Sequence, residues 1–356
     1  MFANCFSFVP RLLPAWMAML SVVPATGAES FGWAISVPMR YAADAIALLA
    51  DVTQSPTIPD DALETERTLA LSDLVALRDD MYWYPVRLAT EAAWAGHPYG
   101  IPASGDEQTL SGIDANRVRE WHRTHFLGAP SVLAVVGDAE PDELAALTAS
   151  RFHALVGGDL APLDPPVWPS GLVQRVEQRA KTQTALAMFF QGPARTDPSR
   201  FAASMIAGVA SGLGGRFFDE LRDRQSLGYT VRAFASERAM AGMFGAYIAT
   251  GPEKEDIARQ GLLREFEKLC ESPVTAAELE QAKTYAIGTH AIRQQSGGSV
   301  LADMVDAYLF GSLRELAEFD QRVRGVTAQE MRLLAQLYFR PDRRVEGIVR
   351  GVVTAV

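Results

Sequence analysis

The sequence predicts an α+β fold made of one unit used twice. Each unit is expected to be a mostly antiparallel sheet with helices packed on one face, the first unit incomplete. Three observations predict this: an internal repeat, short strand-like runs alternating with helix-period segments, and capping spacings at the predicted helix starts.

The repeat shows in three ordered pairs of segments. SFGWAISV from Ser30 falls on MFGAYIAT from Met243, with Phe31 and Gly32 on Phe244 and Gly245. SPTIPDDALETER from Ser55 matches SPVTAAELEQAK from Ser272 after one gap. GIDANRVREWHRTHF from Gly112 falls on GVTAQEMRLLAQLYF from Gly325, so that Gly112, Ala115, Arg119 and Phe126 coincide with Gly325, Ala328, Arg332 and Phe339. Three matches in one order at a nearly constant shift are not expected by chance. After the third pair both halves run into strand-like stretches, SVLAVVGD and VEGIVRG.

Each element follows from local chemistry. FGWAISV, TALAMFF, YTVRAFAS and MFGAYIAT are short β-branched or aromatic runs and read as strands. Leu71, Leu74 and Val75, and again Leu262, Phe266 and Leu269, recur at helical spacing. Asp61 with Glu64, Thr275 with Glu278, and Thr327 with Glu330 have capping-box spacing, in which two side chains satisfy otherwise unpaired N–H groups. APLDPPVWPS, residues 161–170, breaks any regular element and reads as a linker. The domain reading is a start at 1–28, a first unit at 29–158, a Pro-rich linker at 159–175 and a second unit at 176–356. Residues 1–28 read equally as a signal peptide, with an apolar run LLPAWMAMLSVV before small residues, or as an irregular start. No segment is long and apolar enough to span a bilayer.

A chain of 356 residues suits two domains, and 48% hydrophobic with 21% charged residues is a globular composition. The formal net charge of −10 repels phosphate and argues against nucleic acid as a partner. The two cysteines, Cys5 and Cys270, define no disulfide framework and no thiolate metal site. Cys270, at the end of an amphipathic helix, reads as buried and inert. SGLGGRF, Ser211–Phe217, lacks the phosphate-loop and dinucleotide patterns and reads as a connection ahead of a helix. His122 and His125 share a helix with Glu120, but their repeat counterparts Ala335 and Tyr338 are not ligands, so packing or surface roles are expected.

The stretch GLGGRFFDELRDRQSLGYTV, residues 212–231, resembles the second domain of the pitrilysin/insulinase family of metallopeptidases. The resemblance extends through YIATGPEKED and SPVTAAELEQAK, and back over ETERTLALSDL and the residues His97, Pro98 and Tyr99. In that family, four α/β units form a hollow shell from one chain or two subunits. The resemblance implies that Arg222 and Tyr229, seven positions apart, help hold a peptide substrate. Both groups donate hydrogen bonds at neutral pH and could stabilise an oxyanion at the scissile carbonyl. It also suggests Gly212, Gly214 and Gly215 as substrate contacts. On spacing alone, Arg222 could equally be a solvated helix-end charge and Tyr229 a strand aromatic.

The family's His-x-x-Glu-His zinc motif is absent: His97, His122, His125, His153 and His290 are the only histidines and none has that spacing. Zinc catalysis needs three protein ligands, an open position and a nearby carboxylate. The repeat shift would place the motif before Met1, so truncation rather than replacement is expected. Asp73 stands where catalytic relatives carry a glutamate ligand and, without histidine partners, is expected to be a surface charge. The resemblance therefore implies no cofactor in this chain, a zinc-bearing homologous partner subunit in a heterodimer and peptide substrates, and it favours a periplasmic, cell-envelope or secreted location over a cytoplasmic one. The rival expectations are a structural or assembly protein of the same descent, or a shortened product of an active peptidase gene.

Overall fold

The computed structural model describes residues 21–352 apart from 127, 129–130, 156, 159–161 and 212–213. They form two compact units. The first comprises residues up to 75, residues 103–163 and residues 296–305; the second comprises residues 76–102, 164–295 and the chain from 306 onward.

In the first unit, β1 (Ser21–Thr26) and β2 (Phe31–Ser36) form an antiparallel pair with Ser21 opposite Ser36. Helices α1 (Ala42–Gln54), α2 (Asp60–Asp79), α4 (Glu107–Ser111), α5 (Ala115–His125) and α6 (Pro141–Phe152) follow along the chain, with α3 (Trp83–Ala93) intervening. Phe31 packs on Trp121 at a ring separation of 5.1 Å, and Trp33 on Phe126 at 6.0 Å. Residues 131–136, expected as a strand, join no sheet. A strand is stabilised by a hydrogen-bonded neighbour, and β2 pairs with β1 alone among the described residues. Of the helical triplet predicted in α2, Leu74 is buried while Val75 faces solvent. Asp61 is no cap: α2 starts one residue earlier, and Glu64 pairs with Arg67.

The second unit holds β3 (Val173–Gln178), β4 (Thr184–Gly192), α7 (Arg200–Ala210), α8 (Arg216–Phe218), β5 (Val231–Glu237) and β6 (Gly242–Thr250). The chain continues with α9 (Glu255–Glu271), α10 (Ala276–Arg293), α11 (Gly297–Leu309), α12 (Leu313–Gly325), α13 (Ala328–Tyr338) and β7 (Val345–Arg350). The sheet order is β3-β7-β4-β6-β5, parallel between β3 and β7 and antiparallel elsewhere. Side chains alternate across β4. Leu186, Met188 and Phe190 enter a core with α7, α9, α10 and α13, while Ala187 and Phe189 point the other way. Phe190, Phe266 and Phe339 meet there at ring separations of 4.7–5.5 Å.

The opposite face is covered by α3, whose Ala89, Ala92 and Ala93 join Phe189 and Val345. The approach is so close that a Cβ on Gly347 would lie 2.0 Å from the Pro85 carbonyl oxygen. Trp168, inside the Pro-rich segment, is buried in the same cluster and donates its indole N–H to the Arg343 carbonyl at 2.8 Å. Thr275–Glu278 and Thr327–Glu330 both form reciprocal capping boxes. The repeat is visible as structure: α5 and α13 begin and end 213 residues apart, and α1 and α9 begin 213 apart.

Candidate functional site

The segment between α8 and β5 gathers the predicted pair. From Asp219 to Arg224 the chain winds as a π-helix, with the Gln225 N–H donating to the Glu220 carbonyl five residues back at 3.1 Å. Such wide turns recur at functional sites. Leu221 anchors it, wholly buried and lying against Gly261 of α9, where a Cβ would come within 2.7 Å of a Leu221 methyl. Ser226 then takes a left-handed backbone, φ 51°, and reverses the chain. Leu227 re-enters the core, its N–H bonded to the Leu221 carbonyl at 2.9 Å. Gly228 presses on β6, where a Cβ would stand 2.2 Å from the Ala249 carbonyl oxygen. This reversal is the physical content of the seven-residue spacing: it carries Tyr229 back over the residue that left the turn at 222.

The guanidinium of Arg222 lies 4.5 Å from the centre of the Tyr229 ring and 4.4 Å from that of Phe218. Tyr229 is 78% exposed. No hydrogen bond consumes the guanidinium N–H groups or the phenol among the described residues, and the carboxylate near Arg222 is Asp223 at 3.9 Å. The neighbouring Arg224 contrasts with it, paired to Asp219 at 2.9 Å. Two rings lie against the Arg222 guanidinium, and its N–H groups are left for a ligand. Phe218 escaped the sequence reading; its signal was the spacing of four before Arg222.

The start of this segment is fastened separately. Arg216 grips Glu278 at the N-terminus of α10 through two bonds of 2.6 and 2.8 Å. Those bonds, together with the Thr275 cap, hold the Glu278 carboxyl down to about 2. Gly212 lies outside the described residues. Gly214 has room for a side chain, with Gln281 Nε2 3.8 Å from a Cβ there. Gly215 has none, because a Cβ would stand 2.1 Å from the Ser211 carbonyl oxygen, so its role is to let the chain turn tightly into α8.

The histidines and Asp73 singled out in the sequence do not come together. His122 bonds the Thr53 carbonyl at 2.7 Å and stacks on Phe126, and His125 stacks on Trp121. His97 accepts from the Tyr99 N–H at 3.1 Å. Asp73 is exposed on α2. Burial pushes the Cys270 thiol up to about 11. Among the described residues no group of three or more His, Cys, Asp or Glu is arranged to hold a metal ion.

Residues 112–285 match the family described as peptidase M16 inactive domain. An uncharacterized zinc protease of Streptomyces coelicolor is 23% identical over 315 residues, covering 85% of this chain and 68% of that protein. Among solved structures, a peptidase M16 inactive domain from Pseudomonas fluorescens superposes with a TM-score of 0.87 at 20% identity, over 96% of this chain and 83% of that one. A chain of complex III2 from Candida albicans superposes at 0.78 with 14% identity, over 93% and 81%.

Proposed function

From the premise that this chain belongs to the peptidase M16 family, the pitrilysin/insulinase metallopeptidases, we propose that it is a non-catalytic, substrate-binding subunit of a peptide hydrolase. A homologous partner carries the zinc, and Arg222 and Tyr229 are this chain's contribution to the shared site. The observation that carries the reading is the pairing of a half-buried Arg222 with the exposed Tyr229 ring, both with unused donors among the described residues. Arg222 and the Tyr229 phenol donate to a peptide carbonyl oxygen and hold it as negative charge grows there.

The test is reconstitution of peptide cleavage with a zinc-bearing homologous subunit. Replacing Tyr229 by Phe removes one donor and retains the ring on Arg222. Cleavage by the pair is expected to fall on the order of 10²-fold. Full activity of the Tyr229→Phe pair would overturn the reading. A second reading, an assembly role, is favoured by the likeness to a chain of complex III2. It predicts a stable complex whose peptidase activity, if any, ignores Tyr229.

A further inference from the structure

We infer that Phe218 is a positioning residue for Arg222, the second jaw of an aromatic clamp that sets the angle at which the guanidinium meets its ligand. The inference rests on the substrate-binding reading of Arg222 and Tyr229.

An exposed arginine ordinarily samples many rotamers, and freezing them opposes binding. Arg222 has no strong ion pair to do this work, since Asp223 stands 3.9 Å away. What it has is two rings, Phe218 at 4.4 Å and Tyr229 at 4.5 Å from the guanidinium carbon. Rings restrain a guanidinium without using its N–H donors. A carboxylate partner would restrain it equally well but would occupy the edge that must face a carbonyl. Phe218 is separated in role from its neighbour Phe217, which is 1% exposed and packs on Phe266 at 4.9 Å. Phe218 is only half-buried and stands outside the buried core cluster. Phe218 reaches Arg222 because residues four apart on a helical stretch are neighbours on its surface.

The experiment pairs kinetics with a spectroscopic readout. In the unpartnered chain, the Arg222 side-chain NMR resonances are expected to be shifted by ring currents. They should keep that shift in Phe218→Tyr and lose a large part of it in Phe218→Leu and Phe218→Met. In the reconstituted pair, Phe218→Leu and Phe218→Met should lower kcat on the order of tenfold with KM little changed, and Phe218→Tyr should restore it. Using two ring-less variants guards against one that fails to fold. Unmoved Arg222 resonances in a folded ring-less variant overturn the inference. So does an unchanged kcat where Tyr229→Phe lowers it. If Tyr229→Phe itself has no effect, the substrate-binding reading fails, and the resonance shifts still decide whether the clamp exists.

Discussion

Replacing Glu278 by Gln measures how firmly the candidate site is fastened to α10. The carboxylate receives two N–H groups of Arg216 and, from the other side, the Thr275 backbone N–H at 2.8 Å. Arg216, the largest influence, helps hold the carboxyl down to about 2 against an ordinary 4.5. A gap of that size corresponds to a ceiling of about 3 kcal/mol. The side chains of Arg216 and Glu278 keep 21% and 29% exposure, so solvent screening reduces the expected contribution to about 1–2 kcal/mol. The folded value is depressed, so the stability is present above 4.5 and is lost as pH falls from there through about 2. Urea unfolding of the native chain and Glu278→Gln at pH 7, 5.5, 4 and 3 should show a gap that is full at the two higher values and shrinks below. A gap of constant size from pH 7 to pH 3 would refute the assignment of the depressed carboxyl to this ion pair.

Three further outcomes follow from the packing. Gly228→Ala places a methyl against the Ala249 carbonyl and should cost about 1–3 kcal/mol in urea unfolding, while also displacing the adjacent Tyr229 and lowering cleavage by the reconstituted pair. Phe266→Ala empties the centre of the aromatic core and should cost about 3–5 kcal/mol, read as a fall in the urea midpoint. In a Cys5→Ser background, half-buried Cys270, with its thiol pushed up to about 11, should react with a thiol reagent at pH 8 more slowly than in the urea-unfolded chain; equal rates would contradict the raised thiol.

The α+β fold and the repeated helices were legible in the sequence because repetition survives divergence in the places where backbone chemistry is demanding. Thr275 and Thr327 cap their helices as their spacing requires, and Leu262, Phe266 and Leu269 are buried as their period requires. Asp61 failed as a cap, since the preceding Asp60 already opens the helix and the local pattern fits either residue. Residues 131–136 have strand composition, but composition does not supply a neighbour to pair with. The packing of α3 on the second sheet was illegible for the same reason: it is a contact between segments far apart in the chain. Of the site, the Arg222–Tyr229 spacing was readable, and the structure brings the two groups together. Phe218 was missed although its spacing of four before Arg222 was readable, because spacing alone does not tell a stacked ring from any other helix neighbour. The glycines divide similarly: Gly215 and Gly228 are needed where another backbone comes close, which their neighbours in sequence do not reveal.

The lodging of α3 against β7 bears on how this polypeptide can be dissected. A scissor cut in the proline-rich stretch before Trp168 would liberate a C-terminal fragment with every strand of its five-membered sheet, yet bald over Ala187, Phe189 and Val345. Such a fragment would clump through that naked patch unless residues 76–102 were returned to it as a separate peptide, so a nicked chain should hold together as a tight non-covalent pair rather than fall into halves.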